Sequence, residues 1–277
     1  MLICPHCQQP LVDEISRYRC RNNHCFDIGK AGDVNLLLPH QKRSKSPGDS
    51  KAMVAARHDF LRSGAYQPIA EWLANNVMTL SQGKASVIAD AGCGEGYYLR
   101  SIYDHIFSDS MTPGRDITFC GWDISKFAVQ RAAKLATFPS HWLTASNVAI
   151  PLSDNSVDVL ISAFGFAVAA EFFRIIKPRG YLMTLDVGGH HLLELRQIIY
   201  PDLKPFREKP LLDKRYFHCQ RQEMLSYQVE FNAVQLGQLM TMTPHLYRAS
   251  YEGKSAIQSQ TMLTTTIDVQ LRLYQSK

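Results

Sequence analysis

The sequence predicts a doubly wound α/β sheet behind a small N-terminal β-hairpin module, and three observations carry that expectation. Short apolar runs alternate with helical stretches from about residue 50 onward. The first of those runs ends in a glycine-rich turn leading straight into a helix. Four of the seven cysteines fall in the first 25 residues, as two close pairs. With 277 residues there is room for one large or two smaller domains, and 45% hydrophobic against 20% charged residues excludes a disordered or fibrous chain. No apolar run reaches the roughly 18 residues of a membrane helix, and no apolar stretch follows a basic start, so a cytoplasmic protein without a membrane partner is expected.

The first element is the cysteine-rich segment. It opens Cys4-Pro5-His6-Cys7, passes strand-like Leu11, Val12, Ile15 and Tyr18, and closes Cys20-Arg21-Asn22-Asn23-His24-Cys25. Zinc takes four tetrahedral N or S ligands, and a Cys-x-x-Cys turn offers two sulfurs from one loop. Cys4, Cys7 and Cys20 supply three ligands, and the spacing leaves His24 and Cys25 as alternatives for the fourth. About thirty residues bury too little apolar area to fold alone, so bound Zn2+ would supply much of the folding free energy. The division expected is a zinc-binding module over 1–35, a basic linker with leading helices over 36–80, and a sheet domain over 81–277.

Within the linker, Lys42, Arg43 and Lys45 stand beside Ser44, Ser46, Pro47, Gly48, Asp49 and Ser50. Ser50 is placed to cap a helix carrying Met53, Ala56, Phe60 and Leu61, ended by Gly64. Ile69, Trp72, Leu73 and Val77 continue helical spacing in a second segment. Strands are expected at 87–89, 117–120, 142–143, 157–161 and 181–185, with Lys177-Pro178-Arg179-Gly180 turning into the last.

The first of these strands runs into Asp90-Ala91-Gly92-Cys93-Gly94-Glu95-Gly96-Tyr97-Tyr98. Such a turn lets ligand atoms approach the backbone beside a helix N-terminus. The spacing is G-x-G-x-G, and Asp90 would repel a pyrophosphate but attract an ammonium group. This pattern resembles motif I of class I S-adenosylmethionine-dependent methyltransferases. The resemblance implies a Rossmann-like sheet, with Asp90, Gly92, Gly94 and Gly96 around the cofactor, Asp123 on the ribose diol and Asn147 by the adenine edge.

A wider likeness covers residues 4 to about 250. The Cys-Pro-x-Cys…Cys-x-x-x-His knuckle, Gly32-Asp33-Val34-Asn35-Leu36-Leu37, Lys42-Arg43-Ser44, Pro47-Gly48-Asp49-Ser50, Gly64-Ala65-Tyr66-Gln67-Pro68, the glycine loop, His191-Leu192-Leu193-Glu194-Leu195 and Met242-Thr243-Pro244 together resemble the RlmA family of 23S ribosomal RNA guanine-N1 methyltransferases. The resemblance implies zinc on Cys4, Cys7, Cys20 and His24, deciding the fourth ligand against Cys25, and cofactor contacts from Tyr66, Gly94 with Glu95, and His191. After the fourth strand the family carries an Arg-Ile-Tyr-Ala-Pro run where this chain has Ser162-Ala163-Phe164-Gly165-Phe166, a change on the acceptor side of the site.

Charge agrees with a polyanionic partner. The chain is +5 overall, but residues 1–60 hold nine basic against six acidic side chains and 196–221 hold seven against three, which leaves the remainder slightly acidic. Large-subunit ribosomal RNA is the partner expected, and a homodimer is compatible with the sequence. No residue is marked by spacing as the base that would deprotonate guanine N1. Phe164, Phe166, Trp122 and Tyr98 can stack on a base, although core packing is the commoner fate of such rings. Residues 200–230, with Lys204, Arg207, Lys209, Lys214 and Arg215, read as an insertion over the site, and 264–273 as a closing antiparallel strand. Two competing readings are a small-molecule methyltransferase and a non-catalytic RNA-binding assembly protein. The zinc knuckle speaks against the first, because a small acceptor needs no grip outside the pocket.

Overall fold

The N-terminal segment is too short to enclose a core of its own, and it borrows one. In the computed structural model, which describes residues 1–42, 44–81, 86–107 and 116–277, strands Leu11–Asp13 (β1), Arg17–Cys20 (β2) and Cys25–Asp27 (β3) form a small antiparallel sheet. The third strand turns the expected hairpin into a three-stranded unit. Leu2 bridges Leu152, and the Ile3 amide donates to the Pro151 carbonyl at 3.0 Å. Leu2 and Tyr18 are buried in the same apolar cluster as Leu143, Leu152 and Phe172.

The chain then joins the main sheet before its helices begin. Asp33–Asn35 (β4) pairs in parallel with a strand more than one hundred residues later, so the sheet reaches back across the boundary expected at residue 35. Ser50 caps the helix Lys51–Leu61 (α1) by accepting from the Met53 amide, and Gln67–Leu80 (α2) buries Ile69, Leu73 and Val77. Arg43 of the basic arm lies outside the described residues.

The central strand Ser86–Ala91 (β5) is buried almost throughout, as a strand covered by helices on both faces must be. Tyr97–Phe107 (α3), Ile117–Asp123 (β6), Lys126–Leu135 (α4), Ser140–Thr144 (β7), Val157–Ala163 (β8), Ala169–Ile175 (α5) and Ile176–Val187 (β9) follow. Strands β4 to β9 are parallel, with β6, β7 and β4 on one side of β5 and β8 and β9 on the other. The order reverses at β5, and ligands bind such sheets outside the strand ends at that point. The run 177–180, expected as a turn, lies inside β9, where the pairing register with β8 shifts and Arg179 adopts a φ of 65°.

After Leu193–Ile199 (α6) the chain crosses an exposed stretch and enters Phe217–Asn232 (β10). Much of the expected insertion is therefore edge strand. Its alternating burial matches a strand with one face on the core and one in solvent. Ala233–Met242 (α7), His245–Arg248 (α8) and Tyr251–Gln258 (α9) precede Met262–Ser276 (β11), which runs antiparallel between β9 and β10. The mixed eight-stranded sheet has the order β10-β11-β9-β8-β5-β6-β7-β4. Among the described residues no helix is long and apolar enough to cross a membrane.

Candidate functional site

The knuckle gathers its four donors into one cluster. The Cys7 and Cys20 sulfurs are 3.7 Å apart, and Nδ1 of His24 lies 3.4 Å from each of the Cys4 and Cys20 sulfurs. All four donor atoms stand within 4.8 Å of one another. Sulfurs about 2.3 Å from a tetrahedral zinc stand about 3.8 Å apart, so the separations and the donor chemistry both fit Zn2+. Cys25 is exposed, its sulfur 3.5 Å from the Asn23 carbonyl and outside the cluster.

At the C-terminal end of β5 the glycine loop lies against a cavity of about 280 Å³. Gly92, Gly94 and Gly96 all have positive φ, and a Cβ on Gly96 would come 2.8 Å from the Trp142 ring. Gly92 has nothing within 4 Å of where a Cβ would stand, leaving its backbone open to a ligand. Asp123, at the end of β6, accepts the Gly94 amide at 3.1 Å and the Ser125 amide at 2.8 Å, and burial raises its pKa. Glu95 is buried, with Oε2 held by His58 Nδ1 at 3.1 Å and Arg100 Nη2 at 2.8 Å, while Oε1 has no partner. Asp90 is buried with both oxygens unpartnered, and burial, followed by the charge of Asp123, pushes its carboxyl up to about 8. Orphaned buried acceptors beside an open glycine loop fit a ligand that brings an ammonium group and hydroxyls.

A second cavity of about 530 Å³ adjoins the first. Asp49, Arg57, Tyr66, Phe164 and Met242 line both, and Met53, Val187, His191, Pro244, His245 and Tyr247 line only the second. The Asp268 amide donates to Nδ1 of His191 at 3.2 Å, so the ring proton sits on Nε2, 3.2 Å from the Tyr66 hydroxyl oxygen. Burial holds His191 down at about 4, so the ring is neutral. Tyr66 thus accepts from His191, and its own proton is available to the cavity. Phe164 is held at a φ of 55°, uncommon outside glycine, with its ring 6.1 Å from Tyr66 and 6.2 Å from His191.

Residues 2–45 match the family described as "RlmA, N-terminal", a zinc ribbon, and residues 89–184 match "Methyltransferase domain". A protein of Streptomyces fradiae named 23S rRNA (guanine(748)-N(1))-methyltransferase is 30% identical over 252 residues, spanning 88% of this chain and 84% of its own. The chain belongs to the RlmA family. A relative from Micromonospora griseorubida, named as a candidate 23S rRNA (guanine-N1)-methyltransferase, is 30% identical over 70% of this chain and 68% of its own. The YxjB protein of Bacillus subtilis strain 168, named likewise, is 25% identical over 98% of this chain and 95% of its own. Like the rest of the RlmA family, the protein is built on the S-adenosylmethionine-dependent fold and carries a zinc ribbon.

The structure brings together most of the residues the two resemblances name. Tyr66, Gly92, Gly94, Glu95 and Asp123 line the first cavity and His191 the second. Gly96 lies behind the loop, packed on Trp142, and Asp90 is buried beneath it without lining either cavity. Asn147 is used elsewhere: its Oδ1 accepts Trp122 Nε1 at 2.7 Å and its Nδ2 donates to the Phe166 carbonyl at 2.8 Å, so it braces the loop after β8. Of the four stacking candidates, Trp122 is fully buried, Tyr98 is buried against the first cavity, Phe164 stands between the cavities and Phe166 is exposed outside them. Sequence reading missed Asp49, Arg57 and Tyr247. The Pro47-Gly48-Asp49-Ser50 stretch was visible, yet its composition reads as a linker and hides the carboxylate it delivers.

Proposed function

We infer that the enzyme methylates N1 of a guanine in a stem-loop of 23S ribosomal RNA, with the zinc module and basic segments gripping the RNA. The identity shared with the Streptomyces fradiae enzyme carries this reading, because it spans 88% of this chain and 84% of that enzyme. Two cavities with a common wall are what methyl transfer between a bound donor and a flat acceptor requires. Bound S-adenosylmethionine supplies an electrophilic methyl on a sulfonium, so the protein's task is alignment and proton removal. In this reading Asp90 draws the donor's ammonium group, Asp123 holds the ribose diol, Tyr66, Gly94 and Glu95 complete the donor's seat, and His191 acts on it from the second cavity through the Tyr66 hydroxyl. Phe164 and Tyr247 offer faces on which a flipped or loop guanine can stack.

Exposed Lys42 and Lys45 beside the knuckle, and Lys204, Arg207 and Lys214 before β10, supply positive surface for phosphates. Part of the second basic run is neutralised internally, since Lys209 pairs with Asp186 and Arg215 with Asp213. The test is incubation with labelled S-adenosylmethionine and 23S rRNA from a strain lacking the gene, followed by mass analysis of nucleosides. N1-methylguanosine at one site is the expected product. Label at any other atom, or none, overturns the reading.

A further inference from the structure

We propose that Asp49 is the general base that takes the N1 proton of the acceptor guanine where the two cavities meet. The proposal rests on the guanine-N1 reading above and adds the residue which that reading lacks. Methyl transfer happens where donor and acceptor touch, so its base belongs on the shared wall. That wall holds Asp49, Arg57, Tyr66, Phe164 and Met242, and among the described residues Asp49 is the only carboxylate lining both cavities.

The carboxylate is a built feature, although it stands in what reads as a linker. Gly48 has a φ of 79°, and a Cβ there would lie 2.8 Å from the Ser125 backbone nitrogen, so only glycine lets the chain press onto the start of α4. The Ser125 hydroxyl donates to the Asp49 carbonyl at 2.6 Å, while its oxygen caps α4 by accepting from the Ala128 amide. Arg57 on α1 donates through Nη2 to Asp49 Oδ2 at 2.6 Å and to the Met242 carbonyl at 3.0 Å, tying the carboxylate to both α1 and α7. One carboxylate oxygen is thereby fixed, and the side chain keeps 30% of its exposure. It shares the lining of the first cavity with Arg57, Tyr66, Glu95 and Asp123, and that of the second with Arg57, Tyr66, His191 and His245.

The other bases in the second cavity are engaged at one ring nitrogen or both. Both ring nitrogens of His191 have partners, and Nδ1 of His245 lies 2.8 Å from the Tyr200 hydroxyl. A carboxylate also matches the chemistry of the acceptor. Guanine presents N1–H and an amino group side by side as donors, whereas adenine presents an N1 lone pair that a carboxylate repels. In the step, Asp49 accepts the N1 proton, the freed nitrogen pair bonds to the methyl carbon, and the carbon–sulfur bond breaks with its electrons on sulfur. Neutral thioether, methylated guanine and protonated Asp49 remain, and the part-exposed carboxyl returns its proton to solvent.

The experiment compares wild type, D49N and D49E for turnover on 23S rRNA across pH, alongside calorimetry of S-adenosylhomocysteine binding. D49N is expected to lower kcat by about 10²–10⁴-fold, the usual worth of a general base, while product-cofactor affinity holds within about threefold. Its residual rate is expected to climb through the alkaline range, as guanine N1 ionises unaided, where the wild-type profile is flat. D49E is expected to recover part of kcat. Should D49N fail to fold, D49E carries the test, with kcat lowered and cofactor binding kept. Unchanged kcat in either variant overturns the proposal, and so does loss of cofactor binding in step with kcat. A wild-type enzyme that leaves no N1-methylguanosine sinks the substrate reading and the base together, whereas product from wild type and D49N alike sinks the base alone.

Discussion

The zinc module and the cofactor edge both hold a ligand, and they do so by opposite arrangements. In the module four donors from residues 4–24 converge on each other, within 4.8 Å. At the edge, Asp49, Tyr66, Glu95, Asp123 and Met242 come from segments spread along most of the chain and face a cavity. Converging thiolates repel one another unless a cation sits between them, so the module's geometry depends on its ligand. The edge is set by eight strands and their helices. The difference teaches where each site is vulnerable: the module to loss of metal, the edge to changes of charge and packing.

The largest expected effect tests the module's side of that contrast. Cys20→Ser, or treatment with a strong chelator, is expected to take zinc from about one per chain to near zero, since structural zinc in isolated modules is worth about 10–16 kcal/mol of apparent folding free energy. Amide hydrogen exchange should become fast across β1 to β3 while β5 to β9 stay protected. Loss of protection throughout the sheet would show instead that Leu2 and Tyr18, buried in a core shared with Leu143 and Phe172, make the two regions one cooperative unit. Cys25→Ser is expected to leave the zinc content unchanged, and a fall in zinc would return the fourth ligand to Cys25.

A middle-sized effect is expected at Asp90. Its carboxyl, pushed up to about 8 by burial, is mostly neutral at pH 7 in the free protein. An acid whose folded pKa lies above its unfolded value binds more protons when folded, so its ionisation erodes stability as pH rises from about 4 to 8. Asp90→Asn is therefore expected to raise the melting temperature relative to wild type, by a margin that widens from pH 5 to pH 8. It should also weaken S-adenosylmethionine by about 10–100-fold, the worth of a hydrogen bond to a charged group. In wild type, binding an ammonium there draws the carboxyl toward its ionised form. Calorimetry at pH 7 in buffers of different ionisation enthalpy should register proton release on binding. Absence of release would place the ammonium elsewhere.

The same contrast explains how much was legible in the sequence. The zinc ligands and the glycine loop are local patterns, with Cys4 to His24 and Asp90 to Gly96 each closing their geometry within a few turns of chain. The alternation of buried strands with amphipathic helices, and the antiparallel last strand, followed from periodicity alone. The second cavity is assembled from α1, the loop after β8, the segment after β9 and the end of α7, and no spacing joins Asp49 to Met242. At Asn147 the resemblance points to a ligand contact, and no spacing shows that its amide also bridges Trp122 and the Phe166 carbonyl. The edge strand β10 was read as an insertion because its prolines and charges precede it, and the strand's own alternation begins only at Phe217.

The smallest effect expected is at Tyr66, and it separates support from participation. Its hydroxyl accepts the His191 Nε2 proton at 3.2 Å, so Tyr66→Phe strands a buried imidazole N–H and should cost about 1–3 kcal/mol of stability, the usual penalty for an unpaired buried donor. Were that its whole contribution, a thermal melt would record the loss and steady-state kinetics would not. The tautomer fixed by the Asp268 amide leaves the phenolic proton free, in a residue that lines both cavities. A few-fold fall in kcat/KM beside the stability loss is accordingly expected. His191→Asn serves as the control: it removes the Tyr66 partner but keeps the hydroxyl, so kinetics closer to wild type than those of Tyr66→Phe would assign the effect to the phenolic proton and not to the packing beneath it.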